Sequence, residues 1–164
     1  MRYSAYVLAG LLATAAPEFA VADNQQVDFE ENMLAVASSW TNQSGSVASL
    51  SFAQSTSQPN VYVVSGTYVN NEAQYQCKGT PYPLSGIYYT NTETISFSVA
   101  WSNSSEDCQS VTGWTGYIDI DSSQMKMETK WNLAYSDVSG RQIEQGSDTF
   151  TMTSTIRNAS LTKQ

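Results

Sequence analysis

At 164 residues, with 41% hydrophobic and 12% aromatic side chains, the chain is long enough for one domain with one real core and too short for two comfortable ones. With 7 basic against 15 acidic residues and a net charge of −8, it lacks the clustered Lys and Arg that a nucleic-acid backbone requires. It contains 0 histidines, which removes Ser-His-Asp and Cys-His catalysis and the commonest zinc ligand together.

In chain order, Met1-Arg2 precede YSAYVLAGLLATAA, an apolar stretch too short to span a bilayer, and then Ala20-Val21-Ala22 in the small-x-small pattern of a cleavage site. Residues 1–22 therefore read as a secretory signal peptide, and a mature chain would begin at Asp23. No membrane span is expected, and the destination is secreted or periplasmic. Residues 23–37 are acidic and then weakly apolar, without strand alternation, and read as a flexible arm with at most a helical turn.

From Trp40 the texture changes to short β-rich runs punctuated by Gly, Pro, Asn and Ser. The runs fall at about 36–42, 46–52, 61–69, 83–90, 94–101, 112–121, 125–135 and 147–155. Short connections make consecutive strands antiparallel neighbours. Eight of them with one apolar face close into an all-β, up-and-down barrel over 38–155 that leaves no exposed edge. The clearest hairpin turns around Asp121-Ser122-Ser123-Gln124, and residues 156–164 are left as a C-terminal tail.

The polar segment between Trp101 and Trp114 has too few apolar residues to fill a core. It reads as one long loop at a barrel rim, with a tryptophan at each strand end. In an up-and-down barrel the connection at 70–82 lies at the same rim. That brings Cys77 and Cys108 within reach of each other. An oxidising compartment favours their bond, which would stabilise the chain by roughly 3–4 kcal/mol in the chain-entropy account. Asn42, Ser46, Tyr68, Ser110, Thr112 and Asp148 gather near the same tryptophans. Each alone has a bland explanation as a turn or cap residue. Together with Trp101, Trp114 and Trp131 they suit a concave apolar pocket with a few placed polar groups.

The segments WTNQSGS (40–46), SGTYVN (65–70), SFSVAWSNS (96–104), SVTGWTGY (110–117), TKWNLAY (129–135) and GSDTFT (146–151) occur in the order and spacing of the avidins. The chain resembles that family over about residues 38–153. The resemblance implies a barrel that binds biotin with high affinity, as a ligand and not a cofactor. It also implies roles: Asn42, Ser46 and Tyr68 donating to the ureido oxygen, Asp148 and Asn70 accepting the ureido N–H groups, and Thr112 meeting the thioether sulfur. Trp101, Trp114 and Trp131 would wall the ligand, and Ser110 would meet the valerate carboxylate.

Tetrameric avidins lend each site a tryptophan from the connection between the last two strands of a neighbour, and here residues 136–148 contain none. The cysteine pair, with GTPYPL after the first, instead resembles the dimeric bacterial avidins. A homodimer is the resulting expectation, with Tyr117, Ile118 and Met127 as candidate outward-facing interface residues.

The acidic residues Glu106, Asp107, Asp119 and Asp121 fit neither a calcium loop nor a glycosidase pair, so no metal and no catalytic residues are assigned. The expectation is a binding protein, not an enzyme. The rival reading is a barrel that carries another small apolar ligand, for which a carboxylate deep among Asn, Ser and Tyr would have no use.

Overall fold

The computed structural model describes residue 34, residues 37–120 and residues 124–156, with side chains through 153. The expected signal peptide, nearly all of the 23–37 arm and the tail beyond Ile156 lie outside the described residues, as do three residues of the Asp121–Gln124 turn. Of the arm, Leu34 is helical and packs against the core, and Ala37 already opens the first strand.

Eight strands follow: β1 (Ala37–Asn42), β2 (Val47–Gln54), β3 (Val61–Val69), β4 (Pro81–Tyr89), β5 (Thr94–Ser102), β6 (Asp107–Asp119), β7 (Lys126–Asp137) and β8 (Gly140–Ile156), with a 3-10 turn at Thr90–Thr92. Each pairs antiparallel with the next, and β8 returns to β1, so the sheet is a closed barrel. The order and count match the sequence expectation. Among the described residues, no helix is long and apolar enough to cross a membrane.

The period of two decides what faces inward. In β5 the pattern is unbroken, with Ile95, Phe97, Val99 and Trp101 buried and the residues between them exposed. The strands must also coil tightly to close the ring. At Gly116, an inward-facing position of β6, an added Cβ would lie 1.8 Å from the Glu128 carbonyl oxygen of β7. At Gly86 of β4 it would lie 2.1 Å from that of Ser96. Only glycine permits such approaches.

The interior has two halves. At one end Trp40, Leu50, Val64, Tyr88, Ile95, Ile118, Met127 and Phe150 form a solid apolar plug, each at most 1% exposed. Toward the other end, where β1, β3, β5 and β7 finish, the inward positions become polar and the packing opens. Ile118 and Met127 thus correct an expectation: they are core residues, and of the three candidate interface side chains only Tyr117 faces out, 47% exposed. The cause is strand parity, since neighbours such as Tyr117 and Ile118 cannot share a face.

Two strands are longer than expected. The segment between Trp101 and Trp114 is not one long loop, because β6 begins at Asp107 and only residues 103–106 connect it to β5. Asn103 closes that turn by accepting the backbone N–H groups of Ser105 (2.7 Å) and Glu106 (2.9 Å). The β5–β6 register slips between Ala100 and Ser102, and Gln109 on β6 has a φ of 50°. Likewise β8 starts at Gly140, making residues 136–148 a tight hairpin rather than a loop. Asp137 accepts the Ser139 N–H (2.7 Å), and Gly140 takes a φ of +113°. Both extensions project past the barrel end. Neither face there is buried, so backbone pairing proceeds without the apolar alternation that marks a strand in sequence.

A cavity lined by tryptophans and closed by a tethered loop

The open half of the barrel holds a cavity of about 460 Å³. Its floor is aromatic. Trp114 stacks with both Phe97 (centroids 5.1 Å apart, planes 15° apart) and Tyr68 (4.9 Å, 29°), while Trp101 meets Tyr68 edge-on at 5.6 Å. Such contacts contribute about 0.5–1.5 kcal/mol each beyond area burial, so these walls are stiff before any ligand arrives. Trp131 supplies a further side, and its ring lies over Gly146, where an added Cβ would come within 2.3 Å of it.

Asp148 is the polar centre. Its Oδ1 accepts Asn42 Nδ2 (3.1 Å) and Gln43 Nε2 (2.9 Å), and its Oδ2 accepts Trp114 Nε1 (2.8 Å). A carboxylate offers about four acceptor positions, so one on Oδ2 is left for a ligand N–H. Asn42 is fixed in turn, because its Oδ1 accepts the backbone N–H groups of Ser44 (3.1 Å) and Ser46 (2.8 Å). Thr112 accepts Trp101 Nε1 at 2.8 Å, which leaves its own O–H free to donate. Burial first, and then the Asp148 charge, hold the phenol of Tyr68 well above the ordinary tyrosine range. It is therefore a hydrogen-bond donor at any working pH.

All the site residues expected from sequence line the cavity except Ser46. Ser46 is fully buried behind Tyr68, where its hydroxyl accepts the Asn71 N–H (2.9 Å) and donates to Asn70 Oδ1 (3.4 Å). Asn70 does line the cavity, but its oxygen is already occupied. That oxygen also accepts the Glu72 N–H (3.0 Å), and Nδ2 donates to the Gln76 carbonyl (3.3 Å). Asn70 thus ties the β3–β4 connection to the barrel.

That connection, residues 70–80, closes over one side of the cavity and is held at several points. Cys77 and Cys108 form a disulfide with Cα atoms 6.3 Å apart, as expected from the shared rim. Cys77 N–H donates to Glu106 Oε1 (3.3 Å). Cys77, Glu106 and Cys108 bring three potential metal-ligand atoms within 4.8 Å of one another, but both sulfurs are committed to the disulfide. On the far side, Tyr75 donates to Glu144 Oε2 (3.1 Å), and Tyr135 donates to Oε1 of the same carboxylate (2.6 Å).

Sequence reasoning did not find Gln43, Glu72, Tyr75, Leu133 or Glu144. Once β8 is extended, Glu144 falls in the same inward parity as Asp148, which is the signal that would have exposed it.

The avidin family model matches residues 30–153. The chain belongs to the avidin family. This is a family of binding proteins and not of enzymes. Among its avidin relatives, hoefavidin from Hoeflea phototrophica is 53% identical over 131 residues, covering 80% of each chain. The short afifavidin–biotin complex superposes with a TM-score of 0.66 at 44% identity, covering 78% of this chain and 98% of that one. The rhizavidin–biotin complex superposes with a TM-score of 0.62 at 45% identity, covering 76% and 98%.

Proposed function

We propose that this chain is a high-affinity biotin-binding protein that sequesters the vitamin in its barrel. The observation that carries the reading is the free acceptor position on Asp148 Oδ2, set beside the Tyr68 donor at the floor of a tryptophan-walled cavity. A cyclic urea presents both an N–H and a carbonyl oxygen on one ring edge, which is the complement of that pair. The hydroxyl of Thr112, free to donate, suits the thioether, and Trp101, Trp114 and Trp131 suit the apolar ring and chain. The relatives solved with biotin support the same ligand. Calorimetry of the purified barrel should give heat at one biotin per chain. No heat at micromolar concentration would overturn the proposal, and binding of an unrelated apolar ligand instead would favour a general carrier.

The protein acts outside the cytoplasm, with residues 1–22 as a leader removed on export. The disulfide supports an oxidising destination. Sequencing of the exported chain should start at Asp23. The assembly is a homodimer. Its support is an exposed apolar row, Val111, Ala134 and Ile143, aligned across the outer faces of β6, β7 and β8. Such a row can pack on its own two-fold copy. Light scattering should give twice the mature mass with and without biotin, and a stable fourfold mass in both states would refute it.

A further inference from the structure

The mouth of the cavity carries a charge pattern that bears on which form of the ligand it accepts. Glu72, Asp137 and Glu144 line it above Asp148, and among the described residues lining the cavity there is no Lys or Arg. Arg141 lies three residues from Glu144 on β8 and so has the opposite parity, facing outward, while Lys130 is engaged by Ser147 on the outer face. Lys78, on the closing loop, is exposed and does not line the cavity.

The acidic groups are also held in place. Glu144 accepts from both Tyr75 and Tyr135, and Glu72 accepts the Ser44 hydroxyl. The two phenols sharing Glu144 both have raised pKa values: that of Tyr135 is pushed up to about 12, chiefly by its hydrogen bond to Glu144, and that of Tyr75 is raised by burial and then by its own bond to that carboxylate. They therefore remain neutral donors and cancel none of the carboxylate charge.

Glu144 precedes Asp148 by four residues on one strand, about 13 Å at strand rise. A bicyclic head seated on Asp148, with its valeryl tail directed outward, spans a comparable distance. Its terminal group then emerges beside Glu144, in a cavity that Glu72 and Asp137 also line. We infer that the preferred ligand is biotin whose carboxyl is tied up as a neutral amide, as it is when attached to a lysine side chain, rather than the free acid. This rests on the biotin reading. A terminal carboxylate would meet three like charges with no cation among the described lining residues to offset them, whereas a neutral amide is not repelled by them and can still hydrogen-bond to Ser110.

The test is competition between biotin and biotin amide, which differ only in the charge of the tail end, at about 10 mM and about 500 mM salt. The amide should bind about threefold to tenfold tighter at low salt, with the gap shrinking at high salt. Glu144→Gln and Glu72→Gln should each narrow the gap. Because only the first removes a partner of Tyr75, a shared effect reports charge and not a loosened loop. Equal or tighter binding of free biotin at low salt would overturn the inference while leaving the biotin reading intact. Failure of both ligands to bind would overturn both.

Discussion

Replacing Asp148 with alanine should weaken biotin binding by about 2–5 kcal/mol, most of it through faster dissociation. The size follows from what the carboxylate holds. It is 8% exposed and accepts from Asn42, Gln43 and Trp114 before any ligand arrives. Its removal deletes one bond to the ligand and leaves two buried donors, Asn42 Nδ2 and Trp114 Nε1, without their acceptor, while Gln43 Nε2 keeps the Ser147 carbonyl (3.2 Å). One of them, the indole N–H of Trp114, belongs to a side chain only 4% exposed. An unpaired buried donor costs about 1–3 kcal/mol, so part of the loss reflects a slackened floor and not the ligand contact. Asp148→Asn separates the two. It keeps an acceptor oxygen but replaces the other with an N–H₂ group facing donors, so it should fall between wild type and alanine. An unchanged off-rate in Asp148→Ala, in a variant that still melts cooperatively, would show that the residue only braces β8 against β1.

Where the barrel was legible in the sequence, the cause was a solvated outer face against a filled inner one. In β5, TISFSVAWS alternates at every step, and its boundaries were placed to within a residue of Thr94–Ser102. The same rule applied to β6 would have placed Ile118 inside, and missing its parity with Thr112 and Trp114 produced the wrong interface residues. Where β6 and β8 project beyond the barrel, both faces are wet. Residues such as those of 107–111 and 140–146 then carry no strand signal, although 140–146 pair with β7 throughout and Asp107 and Val111 pair with β5 on either side of the register break. The site was legible because its residues sit in segments similar to a known family. What that similarity did not supply was how they are used within this chain: Ser46 and Asn70 spend their polar groups on bracing, and Glu144 fastens the closing loop.

Reducing the Cys77–Cys108 disulfide should speed biotin release by about tenfold, equivalent to roughly 1–2 kcal/mol of lost loop ordering, while the far-UV spectrum of the barrel stays nearly unchanged. The bond joins the 70–80 connection to β6 at its bulge, so its loss frees that connection without breaking a β-ladder. Stability should also fall, by up to roughly 3–4 kcal/mol in the chain-entropy account, because the unfolded chain regains the freedom of the loop between the two cysteines. Release is nonetheless not expected to become unrestrained. Asn70 still holds Glu72 and Gln76, and Tyr75 still reaches Glu144. Tyr75→Phe in the reduced protein should therefore accelerate release further, whereas the same change in the oxidised protein should do less, since the disulfide alone keeps the loop near its place. That non-additivity distinguishes two tethers on one mobile element from two independent contacts. An off-rate unmoved by reduction, with mass spectrometry confirming two free thiols, would show that the 70–80 connection does not gate the cavity and that the disulfide serves stability alone.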